Sequence, residues 1–186
     1  MAALKQGTMS QTGFIVRVPQ AEARVAGLRE RFDASAALGV PAHITLLFPF
    51  MAPEAIDDAV RQGIRDALAG ACPFDFVLAG AARFPATAYL APEPAAPFID
   101  LTERLVHHFP AYPPFGGEFA SVIPHLTVAH GDAALAELAH ADLVQGLPAH
   151  GAIHGRCDAV VLLENASGRW REMHAFLLAT PRGTRL

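Results

Sequence analysis

Short apolar runs with period-two alternation are separated along this chain by stretches with helical spacing. Phe14-Ile15-Val16-Arg17-Val18 reads as a first strand, ended by Pro19. A helix is expected over 20–38, with Val25, Leu28 and Phe32 on one face and Gly39 as its stop. Pro53 is expected to open a second helix, with Ile56, Val60, Ile64 and Leu68 as its buried stripe. Residues 74–78 alternate as a strand, and 87–91 form its neighbour across the Phe84-Pro85 turn. After the prolines at 92–97 comes a third helix that turns Phe98, Thr102, Leu105 and Phe109 inward and stops at Pro110. Asp132 is a good N-cap for a fourth, reaching Val144. Three strands close the chain: one near Ala152, one over 158–163 and one over 170–178, the last two joined by the turn at 164–168.

Two of the apolar runs, 42–50 and 122–129, carry the same phrase. His43-Ile44-Thr45-Leu46 and His125-Leu126-Thr127-Val128 both read His, apolar, Thr, apolar. The runs are too short for an amphipathic helix, so each reads as a buried strand. Successive strand residues point to opposite faces, which puts His and Thr on one face and the apolar pair on the core. Each half of the sequence repeats helix, His-Thr strand, helix. No glycine-rich phosphate loop follows any strand and several connections are hairpin-like. The expected fold is therefore α+β: a duplicated, pseudo-two-fold pair of lobes with two mainly antiparallel sheets, flanking helices and a central cleft. One bilobal domain over 13–180 is expected, with flexible tails at 1–12 and 181–186.

Composition narrows the function classes. A hydrophobic content of 52% with 17% charged residues is that of a globular chain able to bury a core. Proline, glycine or a charge interrupts every apolar stretch before it could span a membrane. The first thirteen residues lack the apolar segment of a signal peptide, and either Met1 or Met9 serves as a start. Cys72 and Cys157 form no CxxC pair, so a reduced, cytoplasmic protein with two buried thiols is expected. Net charge is −4, and thirteen arginines and one lysine form no basic cluster. That disfavours tracking along a duplex and fits a small nucleotide or an RNA 3′ end, bound by a monomer.

The repeated phrase has chemistry to offer. A lone histidine on an apolar strand is more often a hydrogen-bonded core residue than a catalyst, and a buried threonine is ordinary sheet material. Repetition in equivalent settings reverses that balance. Opening a cyclic phosphodiester requires a base to activate water and an acid to protonate the departing oxygen, and imidazole titrates near neutrality. Two residues along, threonine hydroxyls can hold the non-bridging phosphate oxygens.

Rival chemistries lack their signatures. His-x-Thr is not a metal-ligand spacing, no HExxH or Cys/His cluster exists, and His107-His108 read as surface residues. No GxSxG is present, Ser121 is near His125 only in sequence, and His154 near Cys157 reads as ordinary strand and turn. A non-catalytic nucleotide- or RNA-end-binding module would keep the threonines without needing both histidines. In the aromatic, Pro/Gly-rich loop over 112–117, Tyr112 and Phe115 are candidates for base contact. Trp170, His174 and Phe176 share one face by alternation and could stack on a base, but alternating aromatics of this kind are more often core and are read so here.

The two phrases resemble the paired HxT/Sx motifs of the two-histidine phosphoesterase superfamily. The contexts Gly39 to Phe50, Arg83-Phe84-Pro85 and Tyr89-Leu90-Ala91-Pro92-Glu93 look like its 2′-5′ RNA ligase-like branch. The resemblance runs over 14–178. It implies a bilobal fold with a central cleft and cofactor-free, metal-independent action on 2′,3′-cyclic or 2′-5′ phosphodiesters. It casts His43 and His125 as the acid/base pair and Thr45 and Thr127 as the phosphate-binding pair. Members often carry an arginine shortly after the second motif. This chain has Ala129-His130-Gly131, which makes His130 the candidate for that contact. Ring opening to a 2′-phosphate is the expected direction, with 2′-5′ joining of RNA ends as the runner-up.

Overall fold

The computed structural model describes residues 10–118 and 121–179; most of the two expected tails, and both candidate start methionines, lie outside the described residues. Among the described residues there are eight strands: β1 (Thr12–Arg17), β2 (His43–Leu47), β3 (Phe74–Phe84), β4 (Thr87–Glu93), β5 (Leu126–His130), β6 (Ile153–Cys157), β7 (Ala159–Glu164) and β8 (Arg171–Leu177). The helices are α1 (Pro19–Phe32), α2 (Ala34–Ala37), α3 (Asp58–Ala67), α4 (Ala96–His108) and α5 (Ala133–His150). This is the mixed helix and antiparallel-sheet class read from the sequence.

Local chemistry moves two helix boundaries from their expected places. The expected helix over 20–38 is broken at Asp33, whose extended backbone ends α1 and whose carboxylate accepts the Ser35 N–H to cap α2. Gly39 does end this segment, at φ +94°, where a β-carbon would also stand 3.0 Å from the Trp170 carbonyl oxygen. Pro53 opens only a 3-10 turn at Pro53–Ala55. Ile56 then drops into the core, and α3 starts afresh where the Asp57 carboxylate accepts the Val60 N–H at 2.8 Å. Asp132 caps α5 as expected, through the Leu135 N–H, but the helix runs on past Val144.

All neighbouring strands are antiparallel, in the order β6-β3-β4-β5-β2-β1-β7-β8. The two expected sheets are four-strand halves of one sheet, joined through β2 and β5 at the pair Ile44–Leu126. Neither half is a half of the sequence. The last three strands divide between them: β6 pairs with β3, whereas β7 and β8 extend the half begun by β1. The duplication lies in the units β1-α1-β2-α3 and β4-α4-β5-α5. In each, the first helix crosses to the motif strand of the other half, α1 onto β5 and α4 onto β2.

These crossings bury the apolar side of both motif strands. Ile44, Leu46, Leu126 and Val128 are all at 1% exposure or less, among Phe98, Leu101 and Leu105 of α4 and Val25 of α1. Phe98 meets Phe74 and Phe76 edge-on, with ring centroids 4.9 and 5.1 Å apart. Thr102, buried at this layer, donates its hydroxyl to the Leu46 carbonyl. One cysteine departs from expectation: Cys157 is buried, its thiol pushed up to about 12 by desolvation, but Cys72 is exposed. Among the described residues no helix is long and apolar enough to cross a membrane.

Candidate active site

Around the Ile44–Leu126 pair the twin phrases meet on the face of the sheet opposite α1, α4 and α5, where the short α2 contributes Ser35 to the rim. Extending that antiparallel register by one residue each way sets His43 opposite Thr127 and Thr45 opposite His125. The two imidazoles therefore lie on one diagonal and the two hydroxyls on the other. All four side chains line a cavity of about 680 Å³, a size suited to a small-molecule ligand.

Both rings are held in the same way. His43 Nδ1 is 2.8 Å from the Pro41 carbonyl oxygen, and His125 Nδ1 is 2.7 Å from that of Ile123. A carbonyl can only accept, so Nδ1 carries the proton and Nε2 is the free lone pair of the neutral ring. Burial pushes His43 down to about 4, against the Pro41 hydrogen bond; the Arg29 guanidinium lowers it further, Asp33 opposes this, and His125 adds a small depression. Burial also lowers His125, against its bond to Ile123 and with help from His130. Both imidazoles are thus neutral at pH 7 in the free protein.

The depression at His43 has a consequence for stability. The unfolded chain takes up this proton near the ordinary 6.5 and the folded one only near 4. His43 therefore costs the fold nothing above the unfolded value, and stability falls as pH drops through that window, by up to roughly 3 kcal/mol. Thermal unfolding of His43→Gln is expected to lose less stability than the parent between pH 7 and pH 4.5. Parallel losses in the two proteins would contradict the buried-imidazole account.

Three β-bulges decide which further residues reach the cavity. Phe14 and Ile15 of β1 oppose Leu47 and Thr45, leaving Leu46 as the extra residue in β2. Ala88 and Tyr89 of β4 oppose Ala129 and Thr127, leaving Val128 extra in β5. The bulged residue is the fourth position of the phrase in both copies. Beyond it the alternation is reset, so Leu47 and Ala129 stay in the core and Phe48 and His130 turn to the cavity. The third bulge, at Met173 of β8, separates residues that alternation would put on one face. His174 and Phe176 go with the core-facing strand positions Leu162 and Val160, whereas Trp170 packs on Ile15, Val40, Val161 and Leu163 at the cavity. Trp170 was expected in the core with its two neighbours; the bulge is why it is not.

Of the other sequence candidates, His130 and Phe115 line the cavity and Tyr112 does not. Tyr112 stacks edge-on against Phe50 at 5.0 Å, part of the packing behind the site. Phe115, at φ +52°, is tied by its N–H to the Phe48 carbonyl at 2.6 Å. His130 Nδ1 is 2.9 Å from the Thr87 hydroxyl. Phe48, Thr87 and Asp33 also line the cavity and were not singled out from sequence for this role, and Trp170, set aside as core, lines it too. Among the described residues, no three His, Cys, Asp or Glu side chains come together as metal ligands.

A family model described as the 2′-5′ RNA ligase superfamily matches residues 18–169. No curated protein matches the sequence. Similar solved structures include TT0787 of Thermus thermophilus, 20% identical over 90% of this chain and 97% of that one, with a TM-score of 0.57. E. coli LigT complexed with 3′-AMP is 17% identical over 92% and 99%, with a TM-score of 0.60. LigT complexed with NADP+ is 15% identical over 94% and 100%, at 0.58. At such identities the likeness is one of fold. The family match, by contrast, spans most of the sequence and takes in both His-Thr phrases, and the chain belongs to the 2′-5′ RNA ligase superfamily.

Proposed function

We propose that this protein is a metal-independent phosphodiesterase that opens 2′,3′-cyclic phosphates, on a nucleotide or an RNA 3′ end, to 2′-phosphates. One imidazole takes a proton from water as the oxygen attacks phosphorus. The bond from phosphorus to the 3′ oxygen breaks, and the other imidazole, protonated, gives that oxygen its proton. Thr45 and Thr127 donate hydrogen bonds to the two non-bridging oxygens, where charge grows in the transition state. The observation that carries this reading is the diagonal pair of imidazoles, each with Nδ1 satisfied by a backbone carbonyl and Nε2 left to face the cavity. Nucleotides as ligands of LigT add support for the ligand class. The family's description favours a second use of the same groups: a 5′ hydroxyl in place of water would form a 2′-5′ bond by the same displacement.

Phosphorus NMR of nucleoside 2′,3′-cyclic phosphates incubated with the protein in excess EDTA tests the proposal. Conversion to a 2′-phosphate is expected, with kcat/KM bell-shaped in pH. Since both imidazoles are depressed in the free protein, both limbs are expected below the ordinary histidine value. An anionic phosphate in the site favours imidazolium, so the kcat profile should sit at higher pH than that of kcat/KM. Turnover abolished by EDTA and restored by a divalent ion would end the metal-independent reading.

A further inference from the structure

The two motif histidines differ in what surrounds their rings. Phe84 closes β3, and Thr87 opens β4 directly opposite it across the turn at 85–86. The bulge in β5 sets Tyr89 of β4 opposite Thr127, which puts the phenol ring on the cavity face together with His125. On that face Phe84 and Tyr89 stack at 4.5 Å, with planes 30° apart. The His125 ring stands against both, 5.3 Å from Phe84 at 86° and 5.1 Å from Tyr89 at 57°. Its Nδ1 bond to the Ile123 carbonyl fixes a third side, so two rings and one carbonyl together aim Nε2.

In the first half an aliphatic side chain takes the place of the phenol: Ile15 faces Thr45 as Tyr89 faces Thr127. The charged neighbours of His43 are Arg29 and Asp33. An imidazolium within about 6 Å of an aromatic centroid is attracted by the ring's quadrupole, more strongly where water is excluded. Both distances at His125 meet that condition. The titratable groups that face His125 are His130 on its own strand, His43 on β2 and the Tyr89 phenol on β4, and Phe84 brings none from β3. Each of the two imidazoles, once charged, works against a charge on His125. The aromatic rings and the Ile123 carbonyl favour it.

We propose that Phe84 and Tyr89 are positioning residues for His125, holding the plane of its imidazole and favouring its charged form over that of His43. This rests on the phosphodiesterase reading and deepens it. As the acid, His125 begins the displacement charged; as the base, it becomes charged when water gives up its proton. The rings serve either role, and Ile15 gives His43 no such support.

Phe84 is half-buried at the end of its strand, so Phe84→Leu removes a ring while keeping apolar bulk against His125. Proton NMR of the nine histidines, with His125 assigned by its loss in His125→Gln, follows the titration without any need for turnover. Phe84→Leu is expected to bring the His125 titration down by about 0.5 to 1 pH unit, the scale of one desolvated cation–π contact, and to move His43 far less. The limb of the kcat/KM profile that His125 sets, measured on a 2′,3′-cyclic phosphate, should move to lower pH with it. Phe84→Tyr and Tyr89→Phe keep both rings and should hold the parent titration. A His125 titration unchanged or raised in Phe84→Leu would overturn the proposal, because a ring that only packs would cost stability or rate without lowering it. Phe84→Met, with a more adaptable side chain, repeats the comparison if leucine unsettles the β3–β4 hairpin. A lowered titration in a protein that turns over no cyclic phosphate would sustain the aromatic support and refute the phosphodiesterase reading. Turnover with an unmoved His125 would overturn the positioning role alone.

Discussion

Replacing His43 or His125 by alanine is expected to lower kcat on a 2′,3′-cyclic phosphate by about 10²- to 10⁴-fold each, the usual range for one general acid or base. The double variant should fall little below the worse single one, because an acid and a base serving one displacement act as a unit. The substitutions are local. Each imidazole faces the cavity and gives the fold one hydrogen bond, to Pro41 or to Ile123, so melting temperatures should change little beside the loss of rate. Phosphorus NMR of the single and double variants separates the cases. Fully additive losses would mean two independent roles, and turnover untouched by either substitution would remove the acid/base assignment. A loss confined to KM would make the histidines binding groups, as in a non-catalytic module.

The reach of sequence reasoning here depended on whether strand alternation held. It held within each phrase: His43 and Thr45, like His125 and Thr127, share a face because the bulge comes one residue later. It failed immediately beyond. Strict alternation returns Phe48 to the side of Leu46 and keeps Trp170 with His174 and Phe176, and only the two-against-one pairing at Leu46 and Met173 redirects them. A bulge leaves no compositional mark in a run such as Leu46-Leu47-Phe48, where every residue is apolar. The pairing of distant strands was equally hidden. Alternating residues say that β6 and β7 exist, but Phe76 meeting Gly155 and Ile15 meeting Val161 are what send them to different halves of the sheet. Gly155 offers a retrospective signal, since a β-carbon there would fall 2.4 Å from the Phe76 ring. The break at Asp33 was legible in principle. Asp is among the preferred N-cap residues, since its carboxylate accepts a backbone N–H two residues on, and that signal is masked by the helical spacing around it.

That break matters because Asp33 supports both the fold and His43. Arg29 and Asp33 form an i,i+4 pair at 3.0 Å, with side chains only 3% and 5% exposed. Asp33 is also the cap of α2, and Arg29 reaches on to the Val40 carbonyl at 3.0 Å, three residues before His43. Removing one partner of such a pair leaves the other charge buried, which costs about 3–5 kcal/mol, far more than an exposed pair is worth. Asp33→Asn is accordingly expected to lower the urea midpoint strongly with little change in m. The double variant Arg29→Met with Asp33→Leu should recover much of that loss, because it removes the stranded charge rather than the partner alone. The same Asp33→Asn substitution should register at the active site. Arg29 depresses His43 and Asp33 opposes that depression, so the Asp33→Asn protein should hold its His43 imidazole neutral to still lower pH in a proton NMR titration. An unchanged titration, or a stability loss below about 1 kcal/mol, would mean that water already reaches the pair and that its charges are screened from His43.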